Sequence, residues 1–242
     1  MEIKEINNWF VIETETTKST NDDALVFTLS KIGDKKFIFC TKRQTCGRGR
    51  LGRSWSDGEG NLMFSAIVTC TNENAGRLAL ISGISVLETI KSYKSSADLS
   101  LKWPNDVLLE NKKVCGILIE RKDEINLVVG IGVNIKNSPI LNGCSYQATN
   151  LSECGIITTR EEFLCRFLEI FNVWLEKIEK KEFNAIQQAW IKNAKSINQM
   201  VEIENIKEKI AGKLLGINEK GALVLEKNGK QIAVLSGDVH YL

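Results

Sequence analysis

Lys113-Val114-Cys115-Gly116-Ile117-Leu118-Ile119-Glu120, followed after a short polar turn by Asn126-Leu127-Val128-Val129-Gly130-Ile131-Gly132-Val133-Asn134-Ile135, carries the reading of the fold. Both runs are dominated by Val, Ile and Leu and are short enough to be strands. Working upstream, residues 99–103 with 107–109 form a further strand pair around a Pro turn, and residues 62–69 and 37–40 are apolar strands. Residues 75–93 repeat apolar side chains at helical spacing (Leu78, Ile81, Ile84, Val86, Leu87, Ile90), marking a helix that packs one face on that sheet. A shorter helix is expected over 21–31, capped by Ser19 or Thr20, and an apolar segment over 9–12 precedes it. Downstream, residues 161–180 and 183–195 read as helices. Beyond Ser196 the texture changes to short β pieces at 200–203, 210–217, 222–226 and 231–235, with turn signals at 218–221 and at Asn228-Gly229. The expected fold is α+β: a mixed sheet with helices packed on it over residues 1–195, and a small β-barrel-like unit over 196–242.

Composition bounds the partners. The 32 basic and 30 acidic residues leave a formal net charge of +2, so no whole-protein field draws in nucleic acid or membrane, and any anion site is local. No apolar run approaches the length of a bilayer span, which points to a cytoplasmic protein. The seven cysteines, Cys40, Cys46, Cys70, Cys115, Cys144, Cys154 and Cys165, make no CxxC pair and are odd in number, as expected of thiols in a reducing compartment. With His240 as the single histidine, no structural zinc site is expected.

The long polar segment 44–61 is the one loop that demands an explanation. Within it, Gly47-Arg48-Gly49-Arg50-Leu51-Gly52-Arg53 alternates glycines, which would expose backbone N–H groups, with arginines, whose planar forks suit anionic oxygens. The pattern is neither GxxxxGK[ST] nor a GxGxxG turn. A solvated or RNA-binding Arg/Gly segment is the bland alternative. The stretch is single and lies between two apolar strands, which favours a polyanion site. Trp55 either stacks on a nucleobase or anchors the loop to the core.

Lys102-Trp103-Pro104-Asn105-Asp106 places Asn105 and Asp106 just past a strand end, where site residues collect, although Pro-Asn-Asp is also plain turn chemistry. Lys113 then enters a strongly apolar strand, which is costly unless its ammonium meets an anion.

QTCGRGRLGRSW (44–55), KWPND (102–106), KVCGILIE (113–120) and GIGVNI (130–135), preceded by Ser19-Thr20-Asn21, resemble the biotin protein ligases in order and spacing. KGALVLE (220–226) and SGDV (236–239) extend the resemblance to the C-terminal part. It implies a class II synthetase-like catalytic domain with a small SH3-like β-barrel behind it. By the same resemblance Ser19, Thr20, Asn21, Gln44, Gly47, Arg48, Gly49, Arg50, Lys113 and Gly116 are the expected biotin contacts. Arg48, Arg50, Arg53, Trp55, Asn105, Lys113 and Asn134 are expected on the ATP and adenylate side, and Lys113, Arg48, Arg50 and Asp106 are the expected catalytic set. Cys46 and Cys115 stand where the family often has a small residue and are expected to pack without reacting.

The chemistry implied is two-step. The biotin carboxylate attacks the α-phosphate of ATP, assisted by Mg²⁺, to give biotinyl-5′-AMP and pyrophosphate. A lysine of a biotin carboxyl carrier protein or domain then takes the biotin and releases AMP. Metal ligands are not assigned, and residues 45–60 are expected to order over the adenylate. Some family members carry an N-terminal DNA-binding domain. The 18 residues before Ser19 read as a strand, so the short, ligase-only form is expected, with no DNA or membrane partner and as a monomer or homodimer. A lipoate-type ligase of the same fold and a noncatalytic biotin-binding module are the alternatives. The first lacks the paired GRGRxGR and KWPND stretches, and the second would be expected to have lost Lys113 or an arginine.

Overall fold

A computed structural model describes residues 2–28, 35–56, 58–139, 147–205 and 208–241. The chain is α+β, as expected. Its elements are β1 (Glu2–Ile6), β2 (Trp9–Thr17), α1 (Thr20–Val26), β3 (Lys36–Gln44), β4 (Leu62–Thr69), α2 (Ala75–Tyr93), β5 (Leu99–Lys102), β6 (Asp106–Leu109), β7 (Lys112–Arg121), β8 (Asn126–Val133), α3 (Arg160–Glu179) and α4 (Phe183–Asn193). The C-terminal strands are β9 (Met200–Glu204), β10 (Lys209–Ile217), β11 (Leu223–Lys227), β12 (Lys230–Val234) and β13 (Asp238–Tyr241). The first eight strands form one sheet in the order β1-β2-β3-β4-β8-β7-β6-β5, mixed because β2 and β3 run parallel while its other pairs are antiparallel. The last five form a separate antiparallel sheet in the order β12-β11-β10-β9-β13.

Side-chain alternation splits the large sheet into two faces. Phe64, Ala66 and Val68 of β4, with Val129, Ile131 and Val133 of β8, enter the core under α2 and α3. Phe64, Phe167 and Phe171 form a contiguous aromatic cluster there, Phe64 edge-on to Phe167 and Phe167 stacked on Phe171, each fully buried. The intervening residues, Met63, Ser65 and Ile67 on β4 and Val128, Gly130 and Gly132 on β8, face the other way. There α1 lies over β3, β4 and β8, and a smaller apolar cluster of Ile12, Ala24, Phe37, Phe39, Ile67 and Val128 holds it. The α2 helix is buried nearly all round. Its Ser82, Ser85 and Thr89 each donate to the carbonyl four residues back at 2.7 Å, so no hydroxyl is left unsatisfied. A capping box starts α3: the Thr159 side chain accepts from Glu162 N, and the Glu162 carboxylate accepts from Thr159 N.

Three expectations need correction. The α1 helix is shorter than the 21–31 reading: it ends at Val26, residues 27–28 are not helical, and 29–31 lie outside the described residues. Ser19 occupies its N-cap position but makes no capping bond, and its side chain lines a cavity instead. The 18 residues before Ser19, read as one strand, instead hold the β1–β2 hairpin, and β13 was not anticipated as an element.

The C-terminal sheet docks through backbone contacts. Trp103 Nε1 donates to Gly221 O at 3.1 Å, and Gln187 Nε2 donates to Ile217 O. At Gly76 an added Cβ would collide with the Lys220 carbonyl, so the start of α2 meets the β10–β11 turn with no room for a side chain. That docking brings β13 to the open end of the large sheet.

Candidate active site

A cavity of about 540 Å³ opens on the α1 side of the large sheet, walled by α1, residues 48–56, the 103–105 turn, β7, β8 and β13. Its floor is set by three glycines. Gly116 and Gly132 are cross-strand partners, and Gly130 lies two residues along β8 on the same face. On this floor rests the Trp55 indole. A Cβ on Gly132 would overlap its six-membered ring and one on Gly116 would come within 2.9 Å of Cζ3, so only glycine lets a flat ring lie there. The buried Trp55 Nε1 has no hydrogen-bond partner among the described residues.

Trp55 is delivered by the arginine loop, which is more ordered than its composition suggests. Trp55 N donates to Gly47 O at 2.9 Å and Gly49 N to Arg53 O at 2.7 Å, with Leu51 and Gly52 at positive φ turning the chain. The idea that its glycines expose N–H groups is therefore corrected at Gly49, whose N–H is consumed within the loop. Gly47 does not line the cavity. A side chain there would stand 2.5 Å from the Trp55 carbonyl oxygen, so its role is close approach.

The remaining walls form two chemically different ends. At one, Gln44 Oε1 accepts from Thr20 N at 2.8 Å and from Thr20 Oγ1 at 3.1 Å. The Ser65 hydroxyl contacts Thr20 Oγ1 at 2.7 Å and also Asn21 Oδ1. Asn21 Nδ2 donates to Glu120 Oε2 at 2.6 Å, and Arg48 bridges Glu120 at 2.9 Å and Asp22. Ser19, Thr20, Asn21 and Ser65 are all buried. The hydrogen bonds of Thr20, Asn21 and Ser65 fix those rotamers, leaving a rigid polar wall beside Ser19. Arg48, expected to serve both substrates, stands at this end with the two carboxylates.

The other end is cationic. Lys113 Nζ lies 2.6 Å from Asp106 Oδ1, so the buried-strand lysine does meet an anion. Arg50 donates to Asn105 Oδ1 at 3.3 Å and stands 3.6 Å from Asp238 of β13, which also pairs with Arg53. The 103–105 turn contains a cis Trp103–Pro104 bond and brings Lys102 and Asp106 into register. Asn134, 1% exposed, donates through Nδ2 to Thr149 O at 3.0 Å, while its Oδ1 is a buried acceptor with no partner among the described residues. That acceptor suits a ligand N–H donor.

Except for Gly47, every expected site residue lines this one cavity: Ser19, Thr20, Asn21, Gln44, Arg48, Gly49, Arg50, Arg53, Trp55, Asn105, Asp106, Lys113, Gly116 and Asn134. Residues the sequence reading did not single out are Ser65, Lys102, Glu120, Gly130, Gly132 and Asp238. Alternation of glycine with Val and Ile in β8 could have flagged Gly130 and Gly132; the domain contact that supplies Asp238 leaves no such pattern. Cys115 is fully buried, with its thiol pushed far up by burial, and Cys40 is raised by burial to about 11. Cys46 is exposed, which corrects the expectation that it packs. Cys144 lies outside the described residues. Among those residues no group of three His, Cys, Asp or Glu side chains could hold a metal ion, and no helix is long and apolar enough to cross a membrane. The carboxylates nearest the cationic end, Asp106 and Asp238, are both engaged by cations, so the described residues do not fit a protein-only magnesium site.

A rigid polar slot that runs into a concentration of lysine and arginine can align an organic acid with a polyphosphate, the arrangement a ligase requires. Comparison with known proteins narrows the class. Residues 13–136 match the biotin/lipoate A/B protein ligase family, and residues 196–240 match the biotin protein ligase C-terminal domain. The chain belongs to the biotin/lipoate A/B protein ligase family. It is 30% identical to the biotin–[acetyl-CoA-carboxylase] ligase of Mycobacterium tuberculosis over 93% of its own length and 86% of that protein's. With the bifunctional ligase/repressor BirA of Bacillus subtilis it shares 28% identity over 81% of the chain, spanning 63% of that longer protein. The structure of biotin protein ligase from Aquifex aeolicus in complex with biotin and ATP superimposes with a TM-score of 0.82 at 32% identity, covering 95% of this chain and 97% of that one.

Proposed function

We propose that this chain is an ATP-dependent biotin protein ligase that forms biotinyl-5′-AMP and passes the biotin to a lysine of a biotin carboxyl carrier domain of a biotin-dependent carboxylase. The observation that carries the reading is Lys113: a lysine ammonium 18% exposed, in the cavity, at the meeting of the polar and cationic ends. Among the described residues its anionic partner, at 2.6 Å, is Asp106.

In this reading the uncharged bicyclic head of biotin lies against Ser19, Thr20, Asn21 and Gln44, with the Gly116–Gly132 floor and Trp55 supplying the apolar side. The carboxylate tail then reaches Lys113, beside the α-phosphate. Two anions repel unless charge is supplied between them, and the Lys113 ammonium, helped by Arg50, offsets that repulsion. A carboxylate oxygen bonds to Pα as the bond from Pα to the bridging oxygen breaks, and pyrophosphate leaves with the electron pair. The orphan Asn134 Oδ1 offers an acceptor to the nucleotide. Magnesium arrives as part of the MgATP substrate. In the second step the neutral acceptor amine attacks the acyl carbon of the mixed anhydride, AMP departs with the electron pair of the broken acyl C–O bond, and Asp106, which lies 2.6 Å from Lys113 Nζ, takes the proton the amine gives up. The catalytic unit is residues 1–195 and the C-terminal unit 196–242, the latter contributing Asp238 to the cationic end. A reducing cytoplasm is the compartment that suits six free thiols among the described residues and ATP as substrate.

The test is exchange of labelled pyrophosphate into ATP with biotin and MgATP but no acceptor. Biotin-dependent exchange is expected, falling by about 10²–10³ in Lys113→Ala, the size of loss seen when one preorganised charge-stabilising group is removed. Exchange with lipoate in place of biotin would move the chain to the lipoate-type activity, and none with either would leave a binding module.

A further inference from the structure

The arginine loop re-enters the large sheet at Asn61, a residue 1% exposed that does not line the cavity and has no part in the account so far. It immediately precedes Leu62 of β4, which pairs with Val133 at the end of β8. Asn61 Oδ1 accepts from three consecutive backbone N–H groups, Ile135 at 2.9 Å, Lys136 at 3.1 Å and Asn137 at 3.1 Å. Its Nδ2 donates to Asn137 O at 2.9 Å. One side chain thus satisfies the backbone of the segment that leaves β8, where the pairing with β4 has ended. Three donors saturate an amide oxygen, and each would be costly to bury without it. The surroundings are tight: a Cβ on Gly58 would stand 2.7 Å from Asn137 Cβ and 2.9 Å from Asn61 Nδ2, and Asn137 Nδ2 reaches back to Glu59 O.

Directly before this segment stands Asn134, whose Oδ1 is the buried acceptor assigned above to the nucleotide. From the β7 side it is held by its N–H, which donates to Val114 O at 2.9 Å, and by its Nδ2 on Thr149 O. From the β4 side the anchor is Asn61, through the residues that follow Asn134 in the chain.

Resting on the adenylation reading, we propose that Asn61 is a positioning residue for the nucleotide: by gathering the amides of 135–137 it sets the end of β8 and with it the direction of Asn134 Oδ1. Asn61 touches no substrate. The polar wall of Thr20, Asn21, Gln44 and Ser65 is bonded within itself and to Glu120, so the effect of Asn61 falls on one substrate and spares the other.

In biotin-dependent pyrophosphate exchange, Asn61→Ala is expected to raise the KM for ATP about tenfold, the loss that follows when buried amides are left unpaired and the acceptor shifts. The KM for biotin should stay within about twofold. Asn61→Asp gives up the donation to Asn137 O but still accepts from the three amides, and should recover most of the loss. Because Asn61 acts through Asn134, adding Asn61→Ala to Asn134→Ala should raise the KM for ATP no further than Asn134→Ala does alone. Asn61→Ser, a milder change that serves if the alanine variant does not fold, should raise it about threefold. An unchanged KM for ATP in Asn61→Ala or Asn61→Ser would overturn the proposal. So would additive effects in the double variant, or an equal rise in both KM values that aspartate does not rescue, the behaviour of a residue that only supports the fold. Absence of exchange in the unmodified protein would instead defeat the adenylation reading and this inference with it.

Discussion

The two ends of the cavity share a floor but are built on opposite electrostatic plans. At the polar end a single cation, Arg48, faces two carboxylates, Asp22 and Glu120, and the other groups are hydroxyls and amides locked to one another. At the cationic end four positive side chains share Asp106 and Asp238. The difference teaches how one pocket can hold two unlike substrates. A neutral head group is recognised by donors and acceptors fixed in advance, because each one left unpaired on burial costs free energy. A polyphosphate is recognised by cations gathered in advance at one place. The ends also differ in origin. The polar end comes from α1, β3, β4 and β7 of one sheet, whereas the cationic end needs β13 from the other.

The shared floor gives the largest expected effect. Gly132→Val would displace Trp55 from both ends at once, and displacement of that order costs about 100-fold or more in the rate of biotin-dependent exchange. Thermal unfolding should move only a few degrees, because Trp55 sits on a loop that can swing away. A variant retaining full exchange would mean that the indole does not form the floor of the working site. Thr20→Val is expected to act on one end alone. It removes one hydroxyl donor from Gln44 and one acceptor from Ser65, raising the KM for biotin about tenfold with kcat nearly unchanged. The smallest effect is on dynamics: proteolytic cleavage within residues 45–60 should slow several-fold when biotin and MgATP are both present. Cleavage unaffected by the pair of substrates would count against ordering of the loop over the adenylate.

Much of this was legible in the sequence, for identifiable reasons. Helix α2 and strand β4 fall where periodicity puts them, because long, strongly patterned elements are decided by their own apolar faces. The arginine loop and the 102–106 turn could be read as site residues because glycine, arginine, asparagine and aspartate have few structural uses between apolar strands. What stayed hidden depends on tertiary placement. Ser65 looks like an ordinary polar residue in an apolar strand until α1 sets Thr20 and Asn21 over it. Lys102 looks like the solvated end of a strand until Tyr241 closes on it. Asp238 is unremarkable in a short C-terminal motif until docking carries it to Arg50 and Arg53. The limit of α1 also escaped: its pattern extends past Val26, yet the chain turns extended at Phe27, whose ring packs on Phe37 and Phe39.

The division of the cavity into two ends is tested most directly by calorimetric titration of the unmodified protein and Thr20→Val, first with biotin in the absence of nucleotide and then with MgATP in the absence of biotin. The substitution is expected to weaken biotin by about tenfold and to leave MgATP within about twofold, as for loss of one buried hydrogen-bonding group at the polar end. MgATP weakened as much as biotin, or biotin unaffected while MgATP is lost, would contradict it.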